Sequence, residues 1–538
     1  MSAAYQSDVI IVGGGLAGLA AAYDLLEQNR KVLLFDRDTP ENFGGLARRA
    51  FGGILFVDTP DQRKRGIKDS PELAWSDWQS YAEFDEDDIL PGTWAKYYVE
   101  NSVPQIFEWL KSKGVSFLPL MNWPERGMFR PGNSVPRWHI TWGTGYALTE
   151  AVLRSLREHP KRDNLLIHFS HRVDGLISNG GKVVGVKGRR EDNGEEFDAN
   201  GGAVILASGG MCGGDLSEVR KHWPAELGTA PKVLLNGSHR YADGLLLKVA
   251  AENGAHVTNL GKHWHYAAGV FHPFPKQEND GLSLVPPRSA LWLDAYGRRF
   301  GPLPLVGYTD TSYLVEQVCK SPGQYSWQVL NWKIAIKELA VSGSDYMTSI
   351  RNKKKLKFLR EILFGNKELV SRLLKESKDF VVANSLSELA DKMDALSLPG
   401  HKIDREVMFR DIEGYDAMIG RGEAYFNDDQ LRRIANFRKY RGDKLRVCKF
   451  QRIDDPKAYP LIAIREFILS RKSLGGIVTD LGSRVIDVEG KVIPGLYAVG
   501  EASGFGGGGI HGKRSLEGTF LGSCILTGRA AARAIGKG

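Results

Sequence analysis

The run Gly13-Gly14-Gly15-Leu16-Ala17-Gly18 has the spacing GxGxxG, and its setting constrains the fold more than any other feature of the chain. It directly follows an apolar stretch, Val9-Ile10-Ile11-Val12, that predicts a strand over 9–12. It opens an Ala/Leu-rich stretch that predicts a helix over 16–28, and a second apolar run predicts a strand over 31–36. The glycines permit a tight turn and close backbone approach. The helix N-terminus then offers free N–H groups and a positive dipole end to a pyrophosphate. Asp36, about 20 residues further on, can take ribose hydroxyls. The reading is a dinucleotide-binding βαβ unit; the alternative is a tight βα turn with no ligand.

Size and composition bound the rest. A chain of 538 residues exceeds one core, because cores stop growing near roughly 250–300 residues. Hydrophobic residues at 42% and charged residues at 25% exclude a disordered chain, a collagen and a coiled coil. Glycine is in excess, at 62 residues, and the excess is clustered. Cys212, Cys319, Cys448 and Cys524 lie far apart with no CxxC, so no zinc ribbon, redox motif or disulfide framework is expected. That suits a reducing compartment and a cytoplasmic location. No basic stretch precedes a long apolar run at the start, and no apolar run reaches the ~18 residues of a membrane span.

The formal net charge is +8, and residues 351–380 carry ten Lys or Arg against four Asp or Glu. The stretch around Arg351-Asn352-Lys353-Lys354-Lys355 reads as a solvated helix face rather than a nucleic-acid or membrane patch, because no aromatics interleave with the lysines.

Along the chain, residues 66–160 read as mostly helical, and strand-like runs return at 165–168, 183–187 and 203–207. From about 270 to 450 the composition shifts toward Pro, Lys and aromatics. The last 60 or so residues regain the strand-and-glycine style of the opening. This suggests an interrupted nucleotide-binding domain. The expected fold class is α/β: a Rossmann-like nucleotide-binding domain built from both chain ends (1–270 and 451–538) with an inserted α+β domain at 271–450.

FAD rather than NAD is indicated by Ile493-Pro494-Gly495-Leu496-Tyr497-Ala498-Val499-Gly500-Glu501-Ala502. It is similar to the C-terminal element of two-dinucleotide-binding-domain flavoproteins, which returns to the same sheet. Further blocks are Gly44-Gly45 with Phe51-Gly52-Gly53-Ile54-Leu55-Phe56, Ala207-Ser208-Gly209-Gly210, Tyr241-Ala242-Asp243-Gly244, Trp292-Leu293-Asp294-Ala295-Tyr296-Gly297-Arg298-Arg299-Phe300 and Leu474-Gly475-Gly476-Ile477-Val478-Thr479-Asp480. On these blocks the chain resembles the fumarate reductase/succinate dehydrogenase flavoprotein superfamily over nearly its whole length. The nearest branch looks like the FAD-binding dehydrogenases related to 3-ketosteroid dehydrogenases.

The resemblance implies that the divided domain binds FAD, that the inserted cap, or substrate, domain holds a substrate between itself and the flavin, and that the reaction is desaturation or reduction of a C–C bond beside a carbonyl. It implies pyrophosphate contacts from Gly13, Gly15, Leu16, Ala17 and Gly18, and adenosine contacts from Asp36 and Arg37. Gly44, Gly45, Leu46 and Ala47 would line the flavin's approach, and Val173 would meet the adenine through its backbone. Ala207, Ser208 and Gly209 would flank the pyrophosphate; Asp243, Gly500 and Glu501 would complete the ribityl region. Ser515 and Leu516 would reach the flavin edge. Some relatives attach FAD to a histidine; none occurs between Asp36 and Gly66, so non-covalent FAD is expected.

The chain departs from the family where chemistry is expected. Fumarate reductases follow the final glycines with His-Gly-x-Asn-Arg; here the run is His511-Gly512-Lys513-Arg514-Ser515. Ser515 takes the carboxylate-gripping arginine's position, which speaks against dicarboxylates, and the Tyr-Pro-Gly of steroid dehydrogenases is also missing. His511, Arg514 and Glu517 are the first candidates for proton handling, since a histidine titrates near neutrality. The alternative is that His511 and Arg514 bind FAD or pair with Glu517. The second group is His263-Trp264-His265-Tyr266, with His265 and Tyr266 as cavity candidates, or with His263 and His265 on the outward face of a strand. Tyr81 and Trp142 are further pocket candidates, and no metal site is expected. The expected substrate is a bulky apolar, steroid-like ketone, with an external electron acceptor as partner. The alternatives are a dicarboxylate enzyme and a flavin-bearing nucleic-acid-binding protein, and oligomeric state stays open.

Overall fold

The computed structural model describes residues 3–127, 131–307 and 309–537. They form two compact units. The first gathers 1–224, 238–264 and 471–538; the second gathers 225–237 and 265–470. Both ends of the sequence therefore belong to the first unit.

The first unit is built on a mixed sheet with a parallel centre. Its parallel strands run in the order Leu165–His168, Val32–Phe35, Ala3–Val12, Glu196–Leu206 and Val492–Ala498. A hairpin of His171–Asn179 and Lys182–Arg190 joins antiparallel to Glu196–Leu206. These strands are runs of Val, Ile and Leu because the sheet is covered on both faces. Ile10, Leu33, Phe35, Val204, Leu206, Leu496 and Ala498 share one core.

Register aligns the strand ends. Val12 pairs with both Phe35 and Leu206, and Leu206 with Ala498. The next backbone amides continue the ladder: Gly13 N donates to Phe35 O at 2.8 Å, Ala207 N to Val12 O at 2.8 Å and Val499 N to Leu206 O at 2.9 Å. Four segments distant in sequence thus emerge at one edge, the carboxyl edge where ligands bind in open α/β sheets.

Two helices cover the cradle. Leu16–Glu27 follows the glycine turn, and Thr519–Lys537 packs against it. The approach is close: a Cβ on Gly528 would lie 2.3 Å from Ala17 O. Arg529 pairs with Asp24 at 2.8 Å across the same interface.

The expectation that 66–160 is mostly helical holds only in part. Pro71–Ala82, Ile89–Asn101, Glu108–Ser112 and Thr144–Arg157 are helices. Between 113 and 137 the described chain is irregular, and then enters the strand Trp138–Ile140. Pro119, Pro124, Pro131 and Pro136 interrupt helical hydrogen bonding there.

The second unit holds another sheet, with Leu291–Leu293, Tyr325–Asn331, Leu461–Ser473, His263–Phe271, Gly281–Val285 and Ala340–Val341 in that order. Helices of its own, including Lys355–Phe364 and Arg405–Arg421, accompany it. No helix among the described residues is long and apolar enough to cross a membrane.

Candidate functional site

The glycine turn has the geometry of a phosphate cradle. Gly13 has φ +110°, and a Cβ there would lie 2.3 Å from Ala207 O. A Cβ on Gly18 would lie 2.1 Å from Gly13 O. Gly15 differs: its backbone is ordinary, and a Cβ there would meet no protein atom within 4 Å. Gly13 and Gly18 are thus required by packing, whereas nothing in the fold itself requires glycine at position 15. Gly15 also starts the helix Leu16–Glu27 without any side-chain cap, leaving first-turn N–H groups unsatisfied by side chains.

Gly44 and Gly45 close over this turn. Both have positive φ, Gly44 N donates to Gly14 O at 3.1 Å, and a Cβ on Gly45 would lie 3.3 Å from Gly15 Cα. Leu46 and Ala47 follow in the short helix Gly45–Arg49.

Asp36 sits at the end of its strand, buried. Its two oxygens accept from Gly14 N and Asp38 N, each at 2.7 Å. Burial pushes its pKa above the ordinary carboxylate value, against these two bonds. Arg37 bridges Glu191 at 2.5 Å and Asp243 at 2.6 Å, over the ring of Tyr241. Asp243 is thereby tied to the Asp36 side of the cradle, and its other oxygen accepts from Leu245 N. Buried Asp38 accepts from Arg240 at 2.6 Å and lies 3.2 Å from His239. Burial opposes its ionisation, but His239, the Thr39 amide, Asn42 and Arg240 hold it far below the ordinary value. Val173 is buried two residues along the strand from His171, whose N donates to Asp36 O at 3.0 Å.

Across the edge, Ala207-Ser208-Gly209 leads to Gly210, where a Cβ would lie 2.4 Å from Glu501 Oε1. Gly500 has φ +63°, and its N–H donates to Thr527 Oγ1 at 2.9 Å. That bond fixes the Gly-Glu turn to the last helix. Glu501 accepts from the Ser473 amide at 2.9 Å and lies 3.2 Å from its hydroxyl. Burial raises its pKa, and the Ser473 amide and Lys472 oppose the rise.

His511 is fully buried, stacked on Trp78 and packed against Phe505 and Phe520. Its Nε2 lies 2.8 Å from Thr519 Oγ1, and that hydroxyl donates to Leu516 O at 2.9 Å. His511 Nδ1 has no hydrogen-bond partner within the fold. The expectation that His511 titrates near neutrality fails. Burial, aided by the charge of Lys472, pushes it well below the ordinary histidine value.

Ser515 is buried, its hydroxyl 3.0 Å from Thr519 Oγ1 and 3.2 Å from Leu516 O. Arg514 pairs with Glu83 at 2.8 Å, not with Glu517. Glu517 accepts from Trp264 Nε1 at 3.4 Å.

The second candidate group divides. His263 and Trp264 belong to the first unit, and His265 and Tyr266 to the second. Trp264, His265 and Tyr266 are all buried, so the alternation does not mark an outward face. His263 bonds to Leu260 O at 2.8 Å, and burial pushes it down to about 4. Tyr81 is buried and donates to Glu125 at 2.6 Å, so its hydroxyl is engaged within the fold. Trp142 is half-buried.

Sequence reading missed Gly14, Gly210, Ser473, Thr519 and above all Lys472. Lys472 Nζ lies 3.9 Å over the Phe520 ring. Burial lowers its pKa to about 8, with the charges of Glu517 and Glu501 opposing. The available signal was its position directly before the block at Leu474-Gly475-Gly476. Among the described residues no group of three or more His, Cys, Asp or Glu is arranged to hold a metal ion.

The family model for the FAD binding domain matches residues 8–521. The chain is 42% identical to a KsdD-like steroid dehydrogenase of Mycobacterium tuberculosis, over 98% of this chain and 95% of that one. It is 42% identical to one of Mycolicibacterium smegmatis, over 96% of each. Among solved structures it is similar to the 3-ketosteroid Δ1-dehydrogenase of Sterolibacterium denitrificans in complex with 1,4-androstadiene-3,17-dione. The TM-score there is 0.70 at 16% identity, covering 99% of both chains.

Proposed function

The chain belongs to the FAD binding domain family of flavoproteins, and from that premise we propose that it dehydrogenates, or in reverse reduces, the C–C bond beside the carbonyl of a bulky, steroid-like ketone. It is an FAD-dependent oxidoreductase acting on CH–CH groups. The cradle fits the cofactor on its own geometry: the open space at Gly15, the bare helix start behind it and the buried Glu501 are what a pyrophosphate and a ribityl chain require. Bound FAD supplies the two-electron acceptor or donor.

Gly13, Gly15, Leu16, Ala17 and Gly18, with Ala207, Ser208 and Gly209, would hold the pyrophosphate through backbone. Asp36, Arg37 and Val173 would hold the adenosine. Gly44, Gly45, Leu46, Ala47, Asp243, Gly500, Glu501, Ser515 and Leu516 would hold the remainder. Attachment is read as non-covalent, and acid precipitation tests it: a yellow supernatant is expected over a colourless pellet.

The observation favouring a ketone over a dicarboxylate is Ser515. It is buried and uncharged, its hydroxyl committed to Thr519 and the Leu516 carbonyl, and the neighbouring Arg514 is engaged by Glu83. On this reading neither grips a substrate carboxylate. For proton handling, Lys472 is the charged group that acts on His511, and Glu517 acts in turn on Lys472. A lysine at about 8 sits where proton transfer at neutral to mildly basic pH is efficient. His511 is read as a positioning residue that holds Thr519. Tyr266 and His265 remain candidates from sequence for handling the substrate carbonyl, and both are buried.

The test is anaerobic absorbance of the yellow protein mixed with 3-ketosteroids, smaller cyclic ketones and succinate. Bleaching of the flavin band by a 3-ketosteroid is expected. Bleaching by succinate alone would overturn the ketone reading.

A further inference from the structure

We propose that the helix Lys355–Phe364 of the second unit is an interfacial anchor that docks on an anionic phospholipid surface. The helix is two-sided in an unusual sense. Its inner side is held: Phe358 and Ile362 are half-buried, and Lys337 Nζ donates to Ile362 O at 3.0 Å. Lys357 binds Glu368 at 2.6 Å, and Glu361 accepts from Ser349. Its outer side presents Lys355, Leu356, Leu359, Arg360, Leu363 and Phe364 to solvent. Leu356 is 86% exposed, Leu359 54%, Leu363 58% and Phe364 68%, and no residue of the helix is buried. Positions i, i+3, i+7 and i+8 form one stripe on a helix. A core-covering helix turns such a stripe inward; this one turns it out.

The charge around the stripe selects the occupant. Lys353, Lys354 and Lys355 are exposed at the start of the helix, and Arg360 lies within the stripe. Leucines and a phenylalanine ringed by Lys and Arg match the boundary between anionic headgroups and acyl chains. A second copy of this chain fits less well. Self-pairing would set the lysines against each other, and one short helix face falls below the ~800 Å² per partner of a stable interface. RNA would use the lysines but not the leucines.

The experiment is flotation of the full-length flavin-loaded protein with vesicles of phosphatidylcholine and phosphatidylglycerol, against phosphatidylcholine alone. Flotation with the anionic vesicles, weakened by salt, is expected. Leu359→Ser/Leu363→Ser should lower the partition at least about tenfold. Lys353→Ala/Lys354→Ala/Lys355→Ala should lower it roughly 100-fold. Both variants should keep the wild-type flavin spectrum. Failure of the wild type to float at low salt, or equal flotation of all three proteins, overturns the proposal. So does a wild-type dimer that the leucine variant dissolves without any lipid binding, or RNA retention that the leucine variant keeps.

Discussion

At the scale of single residues, burial decides what each polar group can do. Glu501 is held by the Ser473 amide, so Glu501→Ala leaves that amide unpaired at a cost of about 1–3 kcal/mol. FAD retention through gel filtration should fall with it. His511→Ala should keep FAD and slow flavin reduction by substrate. Because His511 is neutral across the working range, no inflection near pH 6.5 should disappear with it; loss of such an inflection would return the base role to His511. The inflection expected in the wild type lies near 8, where Lys472 titrates, and Lys472→Met should remove it.

The same lysine affects stability with a definite sign. It binds protons less readily folded, at about 8, than unfolded, at about 10.4. Folding therefore releases a proton between these values, and stability rises with pH across that window. Lys472→Met should melt higher than the wild type below pH 8, and the difference should shrink toward roughly pH 10.

At the scale of elements, the glycine turn separates packing from ligand binding. Gly18→Ala drives a Cβ to 2.1 Å from Gly13 O and should cost about 1–3 kcal/mol of stability by denaturant unfolding. Gly15→Ala meets no protein atom and has ordinary backbone angles. It should leave the melting temperature of the apoprotein unchanged while weakening FAD at least about tenfold. Equal losses of stability in the two variants would refute the division.

The same contrast explains what was legible in the sequence. The strands expected at 9–12 and 203–207 lie within Ala3–Val12 and Glu196–Leu206 give or take a residue at the end, because short buried apolar runs before glycine declare themselves locally. The irregular stretch before Trp138 was read as helical, although its prolines were in view. Side-chain partners were not legible. Arg514 meets Glu83 only after segments hundreds of residues apart are folded together, and Lys472 meets Phe520 across a long intervening segment, a contact that no local pattern announces.

At the scale of the whole molecule, the cradle is a property of both halves of the first unit at once. The strand Val492–Ala498 continues the sheet, and Thr519–Lys537 covers Leu16–Glu27. A chain truncated after 470 should therefore bind no FAD and accumulate as insoluble protein, which expression followed by flavin assay of the soluble fraction checks. The second unit's strands come from segments that are also interleaved with the first, so neither unit is an uninterrupted stretch of sequence.

The pairing of Leu16–Glu27 with Thr519–Lys537 also sets a timetable. On a ribosome moving at ~5–20 residues per second, the early helix waits on the order of half a minute to two minutes for its partner. Throughout that time the side that packs against Thr519–Lys537 has no lasting cover. The growing chain is thus a natural client for chaperones, and cofactor loading can only follow release. Shortage of riboflavin would leave a completed but unladen protein rather than a stalled one.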